Sequence, residues 1–503
     1  MTKEQQNALV KTGIAELNDI MGGGLTPQRV YLLHGSPGSG KTTLALNFLI
    51  EGAKNGEKTL YVTLSETKAE LLAVAKSHGW SLDGIEIFEL VAQESELEQE
   101  NQYTVYQPSE VELTQTTKMM LDEVDRIKPS RIIIDSLSEV KLLAQSALRF
   151  RRQVLALKQY FTGRKCTVFF LDDKTAIGEE DLQLESIAHG VLSLEQLSPE
   201  YGAERRRLRI TKMRGQKYRG GYHDFIIKRG GLSVFPRIIA SEHSQTKHNE
   251  QLKSGIDSLD RLLGGGIEEG TSVLLLGPAG AGKSSMAVQY AIAAAERGTR
   301  AVIFTFDERM STLFQRSRGL GMDLEGYVKK GLITILPIDP TEMSPGEFAH
   351  CVRISVEGTN EQEGAKVVII DSLNGYLNAM PEERYLISQL HELLTYLGHK
   401  DVVTFLVIAQ HGLLGNSMQT PVDTSYLADC VILFRYFEAF GEVRQALSVV
   451  KKRSGKHERT IREISMGKTG LTIGEPLAKF HGVLTGTPII TDSEAEKPKA
   501  RNA

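Results

Sequence analysis

Short apolar runs alternate with longer amphipathic stretches along most of the chain. VYLLH at 30–34 is followed by TLALNFLIEGA at 43–53, and SVLLLG at 272–277 by SMAVQYAIAAA at 285–295. Apolar runs of about four to eight residues read as strands buried on both faces, and the longer stretches between them as helices laid over those faces. The alternation predicts βαβ units, and hence an α/β fold with a mostly parallel, twisted sheet flanked by helices.

The pattern occurs twice. TGIAELNDIMGGGL from Thr12 returns as SGIDSLDRLLGGGI from Ser254, LYVTLSET from Leu60 as VIFTFDER from Val302, and RIIIDSLSEV from Arg131 as VVIIDSLNGY from Val367. KMRG at 212–215 returns as KKRS at 451–454. Matched blocks in one order mean a duplicated domain. The expected division is residues 1–244, residues 245–484 and a disordered tail at 485–503, with the polar stretch SEHSQTKHNE at 241–250 as a linker.

Between strand and helix each half carries G-x-x-x-x-G-K-[ST]. The first copy is Gly35, Ser36, Pro37, Gly38, Ser39, Gly40, Lys41, Thr42, followed by Thr43. The second is Gly277, Pro278, Ala279, Gly280, Ala281, Gly282, Lys283, Ser284, followed by Ser285. Strand, loop and helix together make each a phosphate-binding loop: backbone N–H groups face phosphate oxygens, the lysine reaches the β- and γ-phosphates, and the Thr42 or Ser284 hydroxyl ligates Mg²⁺. ATP and Mg²⁺ are therefore the expected cofactors.

Such a site needs carboxylates. Asp135 closes RIIID and Asp371 closes VVIID, after runs too apolar to bury a carboxylate without purpose, so both are expected to hold the magnesium ion. Glu66 and Glu308 occupy matched strand ends beside the nucleotide crevice, where a carboxylate can accept a proton. Asp307 precedes Glu308, whereas Ser65 precedes Glu66. Lys212 with Arg214, and Lys451 with Arg453, are basic pairs spaced by two, so on a strand both cations of a pair project to one side. Each pair is expected to stabilise charge on a γ-phosphate held by a neighbouring subunit, which requires a ring or filament.

Composition narrows the remaining classes. At 503 residues the chain exceeds one ordinary core, and its 41% hydrophobic and 24% charged content is that of a globular protein with no membrane-spanning stretch. The N-terminus lacks an apolar signal core, and Cys166, Cys351 and Cys430 are scattered among apolar runs, which fits buried small side chains in a reducing cytoplasm. A net charge of −4 removes a global nucleic-acid footprint, and Glu86 to Glu112 contains eight glutamates with no lysine or arginine, a solvated acidic loop.

Taken together, the paired GIAELNDIMGGGL/GIDSLDRLLGGGI blocks, the phosphate loops, the SE and DE strand ends, the DS aspartates and KMRG/KKRSGKHERTIRE resemble the KaiC-type tandem ATPases of the RecA superfamily, up to about residue 484. The resemblance implies a homo-oligomeric, hexameric double ring with ATP at subunit interfaces. It also implies slow hydrolysis in the first ring and Ser/Thr autophosphorylation in the second, with Glu308, beside Asp307, as general base. The family's adjacent Ser-Thr phosphoacceptors match DTSYLADC, where Ser425 takes the serine position but Tyr426 replaces the threonine. The implied acceptor is Ser425, or Thr424 before it, and a two-site phosphorylation cycle is not expected. A regulatory relative with signalling partners is the expectation, rather than a circadian timer as such. Two alternatives stand beside it: a DNA-dependent recombination or helicase motor on the same fold, supported by the basic run ERRRLRITKMRGQKYR at 204–219, and a scaffold that binds ATP without turning it over.

Overall fold

A computed structural model describes residues 9–90, 108–173, 184–199, 201–242, 250–359, 362–378, 386–410, 426–485 and 488–490. The chain divides into two compact units, Met1–Arg237 and Ile238–Ala503.

In the first unit the strands are β1 (Val30–Gly35), β2 (Thr59–Thr63), β3 (Ile85–Glu89), β4 (Arg131–Asp135), β5 (Thr167–Asp173), β6 (Gly190–Leu197), β7 (Arg205–Met213), β8 (His223–Lys228) and β9 (Gly231–Phe235). They form one nine-stranded sheet in the order β3-β2-β4-β5-β1-β6-β7-β8-β9. Strands from β3 through β6 run parallel, and β6 through β9 continue as an antiparallel meander. Alternate residues of β1 serve opposite faces: Tyr31 and Leu33 pack with the helix Lys41–Lys54, while Val30 and Leu32 pack with the helices Pro108–Ile127 and Ala147–Thr162. Covering both faces is what makes the central strands continuous apolar runs.

The second unit repeats this plan. A short pair, β10 (Gln251–Leu252) and β11 (Ile267–Glu268), precedes β12 (Ser272–Gly277), β13 (Ala301–Thr305), β14 (Ile333–Pro337), β15 (Val367–Asp371), β16 (Val403–Ala409), β17 (Cys430–Ala439), β18 (Glu442–Lys452), β19 (Arg462–Gly467) and β20 (Gly470–Pro476). Its nine-stranded sheet is ordered β14-β13-β15-β16-β12-β17-β18-β19-β20, the same topology. The helix Lys283–Glu296 covers one face, and Pro345–Glu357 with Leu386–His399 the other. Each half is thus a RecA-like α/β domain, as expected.

The two most buried cysteines behave as apolar side chains: burial pushes the Cys166 thiol up to about 11 and Cys430 up to about 12. Glu86 and Glu89 lie exposed on β3, and residues 91–107 of the acidic stretch fall outside the described residues. Among the described residues no helix is long and apolar enough to cross a membrane.

The meander of the first unit hinges on His223. Its Nδ1 accepts the Arg237 N–H at 2.9 Å and its Nε2 lies 3.0 Å from the Arg219 carbonyl oxygen, which fixes a neutral ring protonated on Nε2. Burial is the main cause that brings its pKa down from 6.5 to about 4. The unfolded chain therefore takes up a proton that the folded one refuses, so stability falls as pH drops from about 6.5 to about 4. The loss is expected to be on the order of 3 kcal/mol for this group. Urea unfolding of the first unit at pH 7 and pH 4.5 should show a smaller drop in His223→Gln than in the wild type; equal drops would exclude His223 as the cause.

Candidate functional site

Both phosphate loops sit where the sequence puts them, between a central parallel strand and the helix that follows it. Gly40 and Gly282 cap those helices in the left-handed region, at φ 96° and 95°, with no side-chain cap, so the first N–H groups stay available to an anion. A Cβ at Gly40 would lie 2.7 Å from the Ile227 side chain, and one at Gly282 3.0 Å from Met466. Only glycine fits this conformation and this approach together.

Lys41 donates to the carbonyls of Gly35 and Ser36, both at 3.0 Å, and pairs with Asp173 at 2.7 Å. Lys283 donates to Gly277 at 2.9 Å and Pro278 at 2.7 Å. Here the units diverge. Asp173 is the residue opposite Gly35 on β5, whereas Ala409 stands opposite Gly277 on β16. Burial pulls the Lys283 ammonium down to about 8, with Asp371 opposing it.

The strand-end aspartates lie within electrostatic reach of the loops, Asp135 of Lys41 and Asp371 of Lys283 and Ser284. Burial raises the pKa of Asp135 and of Asp371; the Tyr61 hydroxyl, which donates to Asp135 at 2.5 Å, and the Ser284 hydroxyl at Asp371 hold them down. Hydroxyl and carboxylate oxygens suit Mg²⁺, which takes one or two carboxylates and completes its shell with water and phosphate. Thr42 with Asp135, and Ser284 with Asp371, are the residues that fit it. Among the described residues no group of three or more His, Cys, Asp and Glu side chains forms a metal site by itself.

Glu66 and Glu308 stand three residues past the ends of β2 and β13, each with its backbone carbonyl taken by a strand-end threonine: Thr63 at 2.7 Å and Thr305 at 3.0 Å. Burial raises the pKa of both. Around Glu66 the charges of Asp135, Glu70 and Asp173 add to the rise, and its Oε2 is buried without a hydrogen-bond partner. Glu308 has Arg316 at 3.0 Å, which counters the rise. Asp307 accepts from the Ser372 hydroxyl at 2.5 Å, next to Asp371. Tyr61, Asp173 and Arg316 are site residues that motif reasoning missed; of these only Asp173, closing the apolar run TVFFLDD, left a sequence signal of the kind used for Asp135.

The basic pairs occupy the other end of the sheet. Strands β7 and β18 end at Met213 and Lys452, one residue before Arg214 and Arg453, yet each ladder adds one more bond: Arg214 N–H to His189 at 3.1 Å and Arg453 N–H to Asp429 at 2.9 Å. His189 in turn donates to Val30, and Asp429 to Ser272, the first residues of β1 and β12. The loops begin at the last residues of those strands, so each arginine is about 16 Å of strand away from its own loop. Lys212 and Arg214 converge on the Ser186 carbonyl at 3.2 and 2.9 Å. Lys451 reaches Ala428 at 2.7 Å, and Arg453 reaches Asp429 and the Tyr426 carbonyl, both at 3.1 Å. Ser425 and Thr424 lie outside the described residues.

Two further arginines of the basic run are engaged within their own sheet. Arg207 pairs with Glu195 at 2.9 Å, and Arg207 and Arg209 lie over the Tyr222 ring at 4.1 and 5.1 Å.

The family model described as "ATPase: KaiC" matches residues 10–238 and again 252–478. The circadian clock oscillator protein KaiC of Parathermosynechococcus lividus is 27% identical over 95% of this chain and 87% of its own length. The circadian clock protein KaiC3 of a Synechocystis species is 26% identical over 97% and 96%, and the KaiC of Acaryochloris marina 26% identical over 98% and 93%. With one match on each unit and a phosphate loop inside each match, the chain belongs to the KaiC family of ATPases.

Proposed function

We propose that this chain is an ATP-binding regulatory protein that hydrolyses ATP at the interfaces of a homo-oligomeric, hexameric double ring and phosphorylates itself in its second domain, at Ser425 or Thr424. The observation that carries the reading is the separation of each basic pair from its own loop. An arginine side chain spans less than half of the roughly 16 Å between them, so a γ-phosphate served by Lys212 and Arg214, or by Lys451 and Arg453, has to belong to a neighbouring copy. A closed ring lets every copy both hold a nucleotide and serve one.

Within one site the roles divide by position. Gly35–Thr43 and Gly277–Ser285 bind the phosphates through backbone N–H groups and Lys41 or Lys283, whose carbonyl contacts a phosphate would replace. Mg²⁺ held by Thr42 with Asp135, or by Ser284 with Asp371, would supply charge stabilisation on the phosphoryl oxygens. Glu66 is the base that receives a proton from attacking water in the first site. In the second, Glu308, beside Asp307, does so for water or for a serine hydroxyl. Cytoplasmic localisation and signalling partners complete the proposal. The engaged arginines of β7 give a DNA motor no observation in its favour.

Two experiments test this reading. In chains silenced at the second loop by Lys283→Ala, Lys41→Ala and Arg214→Ala should each abolish most hydrolysis, and mixing the two should restore part of it, because a mixed interface joins an intact loop to an intact arginine. No recovery in assembled mixtures would remove Arg214 from an interfacial role. After incubation with Mg-ATP, peptide mass spectrometry should find phosphate on residues 423–430 that is lost in a Ser425→Ala, Thr424→Ala chain; ADP without any phosphopeptide would leave an ATPase and remove the autokinase.

A further inference from the structure

The helix Met310–Gly319 begins two residues after Glu308, and its C-terminal end shares a cleft with the second phosphate loop. Arg316, on its last turn, holds two positions at once. One of its guanidinium nitrogens, Nη2, is 3.0 Å from Glu308 Oε2. The same side chain lines a cleft of about 370 Å³ whose other walls are Gly282, Lys283 and Ser284 of the loop, with Leu320 and Met466. The side chain as a whole is about one-third exposed, while Nη2, the nitrogen beside Glu308, is buried.

The matched position in the first unit carries no cation. The matched helix, Lys68–Ser77, carries Val74 at the equivalent turn, packed against the hydrophobic core. The first site instead balances its loop lysine with Asp173. The second has no acid there and places an additional cation beside the loop.

A guanidinium offers five donors in a planar fork, and Glu308 occupies only one edge of it. A polyphosphate seated on Gly277–Ser284 brings several negative charges into the cleft that Arg316 lines. We infer that Arg316 is a phosphate-binding residue specific to the second site, shared between the bound nucleotide and Glu308. The inference rests on reading the second loop as a nucleotide site. It adds a cation from the same chain, distinct from the basic pair at the far end of the sheet, and it makes the two sites unequal in how firmly they grip phosphate. Because one guanidinium serves both groups, removing the Glu308 charge releases it to the nucleotide.

The test is equilibrium titration of a fluorescent ATP analogue, with Mg²⁺, into the full chain carrying Lys41→Ala, so that only the second loop binds. Arg316→Gln should weaken binding about tenfold, the scale of one hydrogen bond to a charged group, and Arg316→Lys should fall between it and the parent. Glu308→Gln should tighten binding several-fold with Arg316 present and less in the Arg316→Gln background. Unchanged affinity in Arg316→Gln, or an equal effect of Glu308→Gln in both backgrounds, would overturn the assignment. A Lys41→Ala, Lys283→Ala chain separates the two levels: if it binds as tightly as Lys41→Ala alone, the loop reading itself fails, whereas lost binding there with unchanged binding in Arg316→Gln overturns only the role of Arg316.

Discussion

A buried ammonium at the start of a helix is the constraint around which each unit is arranged. Lys41 and Lys283 are 8% and 5% exposed, and they sit where the helix dipole is already positive. A cation there is unfavourable unless oxygens surround it. The loop turns its own carbonyls inward to supply them, which requires the left-handed glycines Gly40 and Gly282 and a strand ending directly beneath. A bound polyphosphate satisfies the same lysine and the uncapped helix N–H groups together. The parallel sheet, with its loops at the C-terminal strand ends, is the framework that holds this arrangement in place.

The two units solve the same electrostatic problem differently. In the first, Asp173 neutralises Lys41 and adds to an acidic cluster with Asp135 and Glu66. In the second, Ala409 replaces that acid, Lys283 is pulled down to about 8, and Arg316 answers the carboxylates from another element. One site has an unpartnered base oxygen in an acidic surround; the other has a base already paired with a cation. A duplicated fold thus carries two chemically distinct sites, which suits the proposed division between hydrolysis and transfer of phosphate to protein.

Much of this was legible in the sequence because it is local. A phosphate loop, its strand and its helix are contiguous, and the apolar runs ending in Asp135 and Asp371 mark buried strands whose last residue meets the loop. The pairing of Asp173 with Lys41 was not, because it depends on β5 lying beside β1, an order that no spacing in the chain reveals. Arg316 depends on a helix end sharing a cleft with the loop. Period-two spacing groups Lys212 with Arg214, and Lys451 with Arg453, but their distance from their own loops comes from the register of β6 and β17, and their hold on nearby carbonyls from the tertiary fold. The phosphoacceptor segment around Thr424 and Ser425 rests on resemblance alone, since its residues lie outside those described.

The most direct test is the number of nucleotides each chain holds. Protein purified with Mg-ATP, desalted and denatured, should release two adenine nucleotides per chain by chromatography, and one from either Lys41→Ala or Lys283→Ala. Two nucleotides from both single variants, or none from the wild type, would contradict nucleotide binding at these loops.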